Sequence, residues 1–350
     1  MIKMKMRYVS IVLVAILIAG CNNDDEKPKG KYEHGAFIVN EGGLGNSNGS
    51  VTFYNTASAE AEQSILKSST AFAGDVAQSL TFKEDRGYLV LNGDNKIQVV
   101  DANTFENLST ITSTDIVAPR YVEVVNDKAY ISVWGPYNSS FLLVDSYVLV
   151  FDLKTNTVIK KINTDEGTEN LLYNGNYLFA SNYNYGASNT LAVINPTDNT
   201  LVKQITLSGG PSGMVIDANG KLWVICSDFA SGKLYKINPS SLVIEATIPL
   251  ANAPQTDLAV TPDKQNILYA IGKSFYKLSI ASTTAATQPL FTASNVTTFY
   301  GFNVDPDSGD IWVADALNFT STGKTYVYTP TGTVKTSFGV GISPGQFVFK

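Results

Sequence analysis

The chain has 350 residues, a net charge of −6 and only 16% charged residues, where soluble domains usually carry roughly 25%. Net acidity argues against binding a phosphate backbone, which needs clustered cations, and the length allows one large domain or two modest ones. With 18 Tyr, 17 Phe and few charge-rich helical stripes, the composition favours sheets.

The N-terminus comes first in chain order. Lys3, Lys5 and Arg7 precede an apolar run, "YVSIVLVAILIAG", that ends in small residues. This is the pattern of a secretory signal, too short for a membrane span. The next residues, "IAGC" (Ile18–Cys21), resemble the bacterial lipobox, and that resemblance implies acylation of Cys21 after removal of residues 1–20. Acyl chains would hold the protein to a membrane, each buried CH₂ contributing about 0.8 kcal/mol. Residues 21–35 are polar and charged and read as a tether. Their acidic run Asp24-Asp25-Glu26 resembles the surface-export signal of Bacteroidetes lipoproteins, which implies a lipid-anchored place at the outer membrane, exposed at the cell surface.

From residue 36 to 350 the chain repeats itself. "AFIVN", "YLVLN", "AYISV", "YLFAS", "LWVIC", "LYAIG" and "IWVAD" begin at residues 36, 88, 129, 177, 222, 268 and 311. A period of about 46 residues is that of a four-stranded propeller blade. The fifth period shows the four strands as "GMVIDA", "KLWVICS", "GKLYKIN" and "VIEATIPL", with the tight turn "DANG" (Asp217–Gly220) between the first two. The stretch from "YLFASNYNYGASNTLAVINPTDNT" through "GGPSGMVIDANGKLWVICS" resembles the YVTN-type (YncE-like) propeller repeat, and the likeness spans nearly all of residues 36–350. No apolar strand precedes "AFIVN", but the C-terminal "GISPGQFVFK" has inner-strand character and can complete the first blade. The expected fold is therefore all-β, a seven-bladed β-propeller of four-stranded blades. The C-terminal strand closes the ring and leaves no exposed edge.

Phe37, Tyr130, Trp223, Tyr269 and Trp312 recur at one strand position and are expected to pack between blades. Loops after the second strands behave differently. Two are minimal, at 93–95 and 273–274, but the others are long, among them "WGPYNSSFLLVDS" and "NYNYGASN". They carry Trp134, Tyr137, Phe141, Tyr183, Tyr185, Phe229 and Phe319 to one rim, where no repeat pattern requires an aromatic residue. Asp228 and Asn318 lie in the same loops. Asn40 and Asn92 end second strands on that rim, and Arg120 and Tyr300 stand where inner strands begin. Aromatic rings beside amides and hydroxyls suit a concave site for a neutral, amide- or hydroxyl-rich ligand.

Catalytic patterns are weak, and no enzymatic activity is expected. "GNSNG" (Gly45–Gly49) fits G-x-S-x-G, but a nucleophile elbow needs a strand-to-helix turn. The one histidine, His34, sits in the tether. "DPDSGD" (Asp305–Asp310) reads as a hairpin turn, with Gly309 in the fifth position of a would-be calcium loop and no glutamate in register. Cys226 reads as a buried thiol. Glu41, Asp94, Glu123, Glu169, Asp228 and Asp257 can all face the channel, and the sequence does not rank them.

Three functions remain open. An acidic, lipid-anchored propeller with a post-cysteine acidic run resembles the cobalamin-capturing (BtuG-type) surface lipoproteins of Bacteroidetes. That resemblance implies vitamin B12 or a related corrinoid as transported ligand, a TonB-dependent outer-membrane transporter as partner, and no resident cofactor or metal. A corrinoid is a broad ring fringed with amide arms, and with His34 in the tether no imidazole of the propeller would ligate its cobalt. The alternatives are a glycan-binding or glycan-processing propeller and a protein-interaction scaffold.

Overall fold

Every second strand expected from the repeat forms, because each is a short apolar run bounded by turn residues. Ala36–Asn40, Leu178–Asn182 and Ile311–Asp315 are buried along their whole length. The computed structural model describes residues 30–66 and 73–350. The leader, Cys21 and the tether up to residue 29 lie outside them. The strands form seven four-stranded antiparallel sheets, each a blade with its strands in chain order from the channel outward, except in the first. There the C-terminal strand Pro344–Phe349 takes the innermost place beside Ala36–Asn40, with Phe37 opposite Val348 and Ile38 opposite Phe347. The ring closes as the sequence suggests, and the fold is a seven-bladed β-propeller.

Burial follows the radius. Second and third strands have apolar residues on both faces, while outer strands such as Thr157–Asn163 and Thr200–Thr206 are largely exposed. Each of the seven junctions between neighbouring blades holds its own apolar cluster, so the core is a ring of interfaces. The recurrent strand aromatics sit in it. Phe37 of blade 1 meets Phe82 and Phe105 of blade 2 at 4.7 and 5.7 Å, and Trp312 of blade 7 meets Tyr54 and Phe349 of blade 1 at 5.3 and 5.5 Å. Trp223 also bonds within its own blade, its Nε1–H donating to Asp217 Oδ2 at 2.8 Å.

The two ends of the channel differ. Gly35 and Lys350 exchange backbone hydrogen bonds of 2.9 and 3.0 Å at one end. There Tyr32 is buried against Phe53 and Phe105, and its N–H donates to Asn103 O. The long loops crown the opposite end.

Candidate functional site

At the loop end, the ladder between inner and second strands slips at the same place in six blades. Each slip is a β-bulge, an extra residue that leaves the pairing and re-aims a side chain. The bulged residues are Gln78, Arg120–Tyr121, Glu169–Asn170, Ser212–Gly213, Tyr300 and Gly345. Thr256 and Asp257 hold the corresponding place in blade 6, just before its short inner strand Ala259–Val260. Two amides released by the bulges are taken up by serines of the second strands: Tyr121 N–H donates to Ser132 Oγ (2.9 Å) and Asn170 N–H to Ser181 Oγ (3.1 Å). The bulged residues except Gly213, with Thr256 and Asp257, line one cavity of about 170 Å³ at the channel mouth, together with Glu41, Trp134, Tyr183 and Tyr185.

The blade-4 loop supplies the two tyrosines. It closes on Gly167, where a Cβ would come within 2.4 Å of Asn184 N, and turns through Asn184 and Tyr185 at φ 40° and 52°. That left-handed turn places Tyr185 edge-on to Trp134 of blade 3 at 5.5 Å and brings it beside Tyr137. Four rings from two neighbouring loops thus stand together. Trp134, however, is not the exposed rim residue its loop position suggests: it is 8% exposed. Its Nε1–H donates to Glu169 Oε2 at 2.8 Å, and the Arg120 guanidinium lies 3.9 Å from its ring centre.

Charges in the cavity are tied to one another. Arg120 Nε and Nη2 donate to Glu169 (3.0 and 2.7 Å), and Nη1 donates to Gln78 Oε1. Gln78 Nε2 donates to Glu41 Oε1 (3.3 Å), and the Tyr300 hydroxyl donates to Glu41 Oε2 (2.6 Å). Burial pushes the Glu41 carboxyl up, against the lowering pull of the Tyr300 bond and of Arg120. Burial of Tyr300, and the carboxylate it faces, push its phenol well above the usual range. Asp257, half-buried, is pushed up to about 7 by burial, partly offset by the N–H of Phe302, which donates to Oδ2 at 3.0 Å. Glu123 lies further along the same inner strand as Arg120, and burial pushes it up to about 7 against the pull of Lys83.

Of the residues singled out from the sequence, the structure brings Arg120, Trp134, Tyr183, Tyr185 and Tyr300 into the cavity wall, with Glu41, Glu169 and Asp257 from the unranked acids. Tyr137 stands above them at the rim, and Phe319 packs edge-on against Tyr300 at 5.1 Å. The others lie elsewhere. Asn40 is wholly buried, its amide donating to Ser50 and Thr52 within the blade. Asn92 donates to Pro119 O, joining blades 2 and 3. Asp228 and Asn318 fold back on the amides of their own loops. Phe229 is 87% exposed, away from the cavity lining. Asp94 pairs with Lys96. Gln78, Tyr121, Asn170, Ser212, Thr256 and Gly345 escaped the sequence reading; aligning the seven inner-strand starts would have gathered them in one column.

The weak catalytic patterns take scaffold roles. Ser47 of "GNSNG" sits in a β-loop at φ 49°, and Asp305 of "DPDSGD" accepts the turn amides of Asp307 and Ser308. Cys226 is wholly buried.

Among solved structures the chain is similar to a quinoprotein alcohol dehydrogenase-like protein from Bacteroides thetaiotaomicron, with 14% identity and a TM-score of 0.70, covering 90% of this chain and 78% of that one. It is also similar to a periplasmic gluconolactonase from Pseudomonas aeruginosa, with 14% identity and a TM-score of 0.67 over 90% and 98% of the two chains. A third similar structure is the hydrazine synthase of Kuenenia stuttgartiensis, with 17% identity and a TM-score of 0.58 over 71% and 75%. At these identities the likeness is one of fold. No curated protein sequence matches. Residues 34–335 match the profile of a domain of unknown function, DUF5074, and with most of its length inside that match the chain belongs to the DUF5074 family.

Proposed function

We propose that this protein binds a neutral, amide- or hydroxyl-rich small molecule at the loop end of its channel, with one arm in the cavity and its body against the aromatic rim. The observation that carries this is the state of Arg120. Among the described residues it is the only cation lining the cavity, and Glu169, Gln78 and the Trp134 ring already hold it. An anion gains little there, whereas Tyr137, Tyr185 and Phe319 offer half-exposed rings just above. Ligand pockets usually enclose about 300–1,000 Å³, so a cavity of about 170 Å³ accepts a part of a large ligand and leaves the rest on the rim.

A corrinoid has the required form, a broad ring with projecting amide arms, and agrees with the resemblance carried by the N-terminal residues. On this reading Cys21 is acylated and the protein captures the corrinoid at the cell surface for a TonB-dependent transporter. The described chain begins at the end of the channel opposite the cavity, which suits a ligand face turned away from the anchoring membrane. Visible absorbance retained by the purified protein after incubation with cobalamin tests the ligand. Tyr185→Ala should then weaken binding roughly thirtyfold and change stability by only about 0.5 kcal/mol. If no cobalamin is retained, the corrinoid reading is wrong. Labelled palmitate still entering a Cys21→Ala variant would remove the anchor.

A carbohydrate is the second reading, favoured by one observation. Asp257, pushed up to about 7, is poised for acid–base work at neutral pH. Retention or turnover of a sugar in a glycan panel, with cobalamin ignored, would select it.

A further inference from the structure

Three carboxyl groups line the cavity, and their hydrogen bonds set one apart. Glu169 uses both oxygens on Arg120 and Trp134. Glu41 accepts from Gln78 at one oxygen and from Tyr300 at the other. Asp257 accepts a single bond, from Phe302 N–H to Oδ2, and among the described residues its Oδ1 takes none. One acid in the cavity therefore has an open edge.

The titratable groups facing the same space are Glu41 of blade 1, Arg120 and Tyr121 of blade 3, Glu169, Tyr183 and Tyr185 of blade 4, and Tyr300 of blade 7. Arg120 is committed to Glu169, so among the described residues lining the cavity Asp257 has no free cation. With burial pushing it up to about 7, much of it carries a proton at neutral pH.

We propose that Asp257 is the specificity-determining residue of this cavity and that its open edge takes a primary carboxamide. The Oδ1–H group donates to the amide carbonyl, and an amide N–H donates to the second lone pair of Oδ2. This deepens the ligand reading above and rests on it. A protonated acid and a carboxamide each offer one donor and one acceptor in the same plane. A ligand carboxylate would be ionised at neutral pH and would meet Glu41 and Glu169. Binding selects the protonated acid, so affinity falls by about tenfold per pH unit once Asp257 ionises.

The test uses the purified protein carrying ¹³Cγ-labelled aspartate, with propionamide as the probe and propionate and propylamine as controls. The signal lost in Asp257→Asn identifies the residue, and this isosteric variant also guards against a misfolded Asp257→Ala. Saturating propionamide should raise the Asp257 midpoint by about one unit, with propionate leaving it unmoved. Asp257→Ala should bind propionamide about tenfold more weakly at pH 6. A midpoint unmoved by propionamide overturns the proposal, as does propylamine binding that tightens with rising pH. Cobalamin is titrated separately at pH 6 and 8. If propionamide behaves as stated and cobalamin does not bind, the corrinoid reading falls and Asp257 keeps its role. If cobalamin binds wild type and Asp257→Ala equally at both pH values, the corrinoid reading survives and the role of Asp257 falls.

Discussion

The Arg120 guanidinium carbon lies 3.9 Å from the centre of the Trp134 ring, and the two side chains share one acceptor, Glu169. Cation, ring and carboxylate come from blades 3 and 4, so the triad fastens two neighbouring blades at the channel mouth. Stability and the proposed ligand contact therefore meet in the same side chains.

Trp134→Ala should destabilise the fold by about 3 kcal/mol, because it empties a buried ring's place and strips Glu169 of a donor. Trp134→Phe keeps most of the packing and should cost about 1–2 kcal/mol. Urea denaturation reads both. An alanine variant that melts with the wild type would mean the ring is not part of the core.

Stability should fall as pH rises from about 4 to 8. The folded-state values of Asp257 and Glu123 are raised to about 7, and Glu41 is raised as well. An acid whose folded value exceeds its unfolded one, about 4, holds its proton more tightly when folded. Its stabilising contribution is full below the unfolded value and is lost as pH climbs through the folded one. Asp257→Asn and Glu123→Gln should each flatten the decline in urea midpoint between pH 5 and 8. A slope unchanged in both variants would place its origin elsewhere.

Removing residues 343–350 takes away the inner strand of the first blade, including Phe347, which is buried among Trp312, Ala36 and Ile38. The loss should amount to about 5 kcal/mol or more, comparable with the whole stability of many domains. Differential scanning calorimetry of the truncated chain should show a lower, broader transition or none. An unchanged sharp transition would be incompatible with closure by this strand.

Cys226 should be silent towards a thiol reagent in the native protein. It is wholly buried, and burial pushes its thiol far above the usual range, which removes the thiolate that reacts. Reaction should appear only with unfolding, at the rate of global opening. Rapid labelling of the folded protein would reveal local opening of blade 5.

The sequence exposed the architecture because one element, the second strand, is nearly invariant in character. "LWVIC" and "IWVAD" are apolar at every position that touches a neighbouring blade, so the period shows directly. The rim aromatics were legible for the opposite reason, since nothing in the repeat asks for Tyr183 or Tyr185. The floor of the cavity was hidden. Arg120 and Tyr121 face a single partner, Ser132, across a bulge, and a bulge breaks the two-residue alternation by which a strand's faces are told apart. Trp134 misled in another way: its place at the head of a loop suggests a solvent contact, and only the fold brings Glu169 close enough to hold its indole.

The repeated bulge also separates what this ring can change from what it must keep. A residue that stands outside the ladder can be exchanged without shifting any neighbour's register, so the positions of Gln78, Ser212, Tyr300 and Gly345 act as interchangeable sockets around a fixed frame. Gly345 shows the range: a Cβ there would sit 3.4 Å from Glu41 Oε1 and 3.5 Å from the Tyr300 ring, so one added methyl would narrow the floor. Relatives sharing these blades can thus diverge in what they hold, socket by socket, while folding alike.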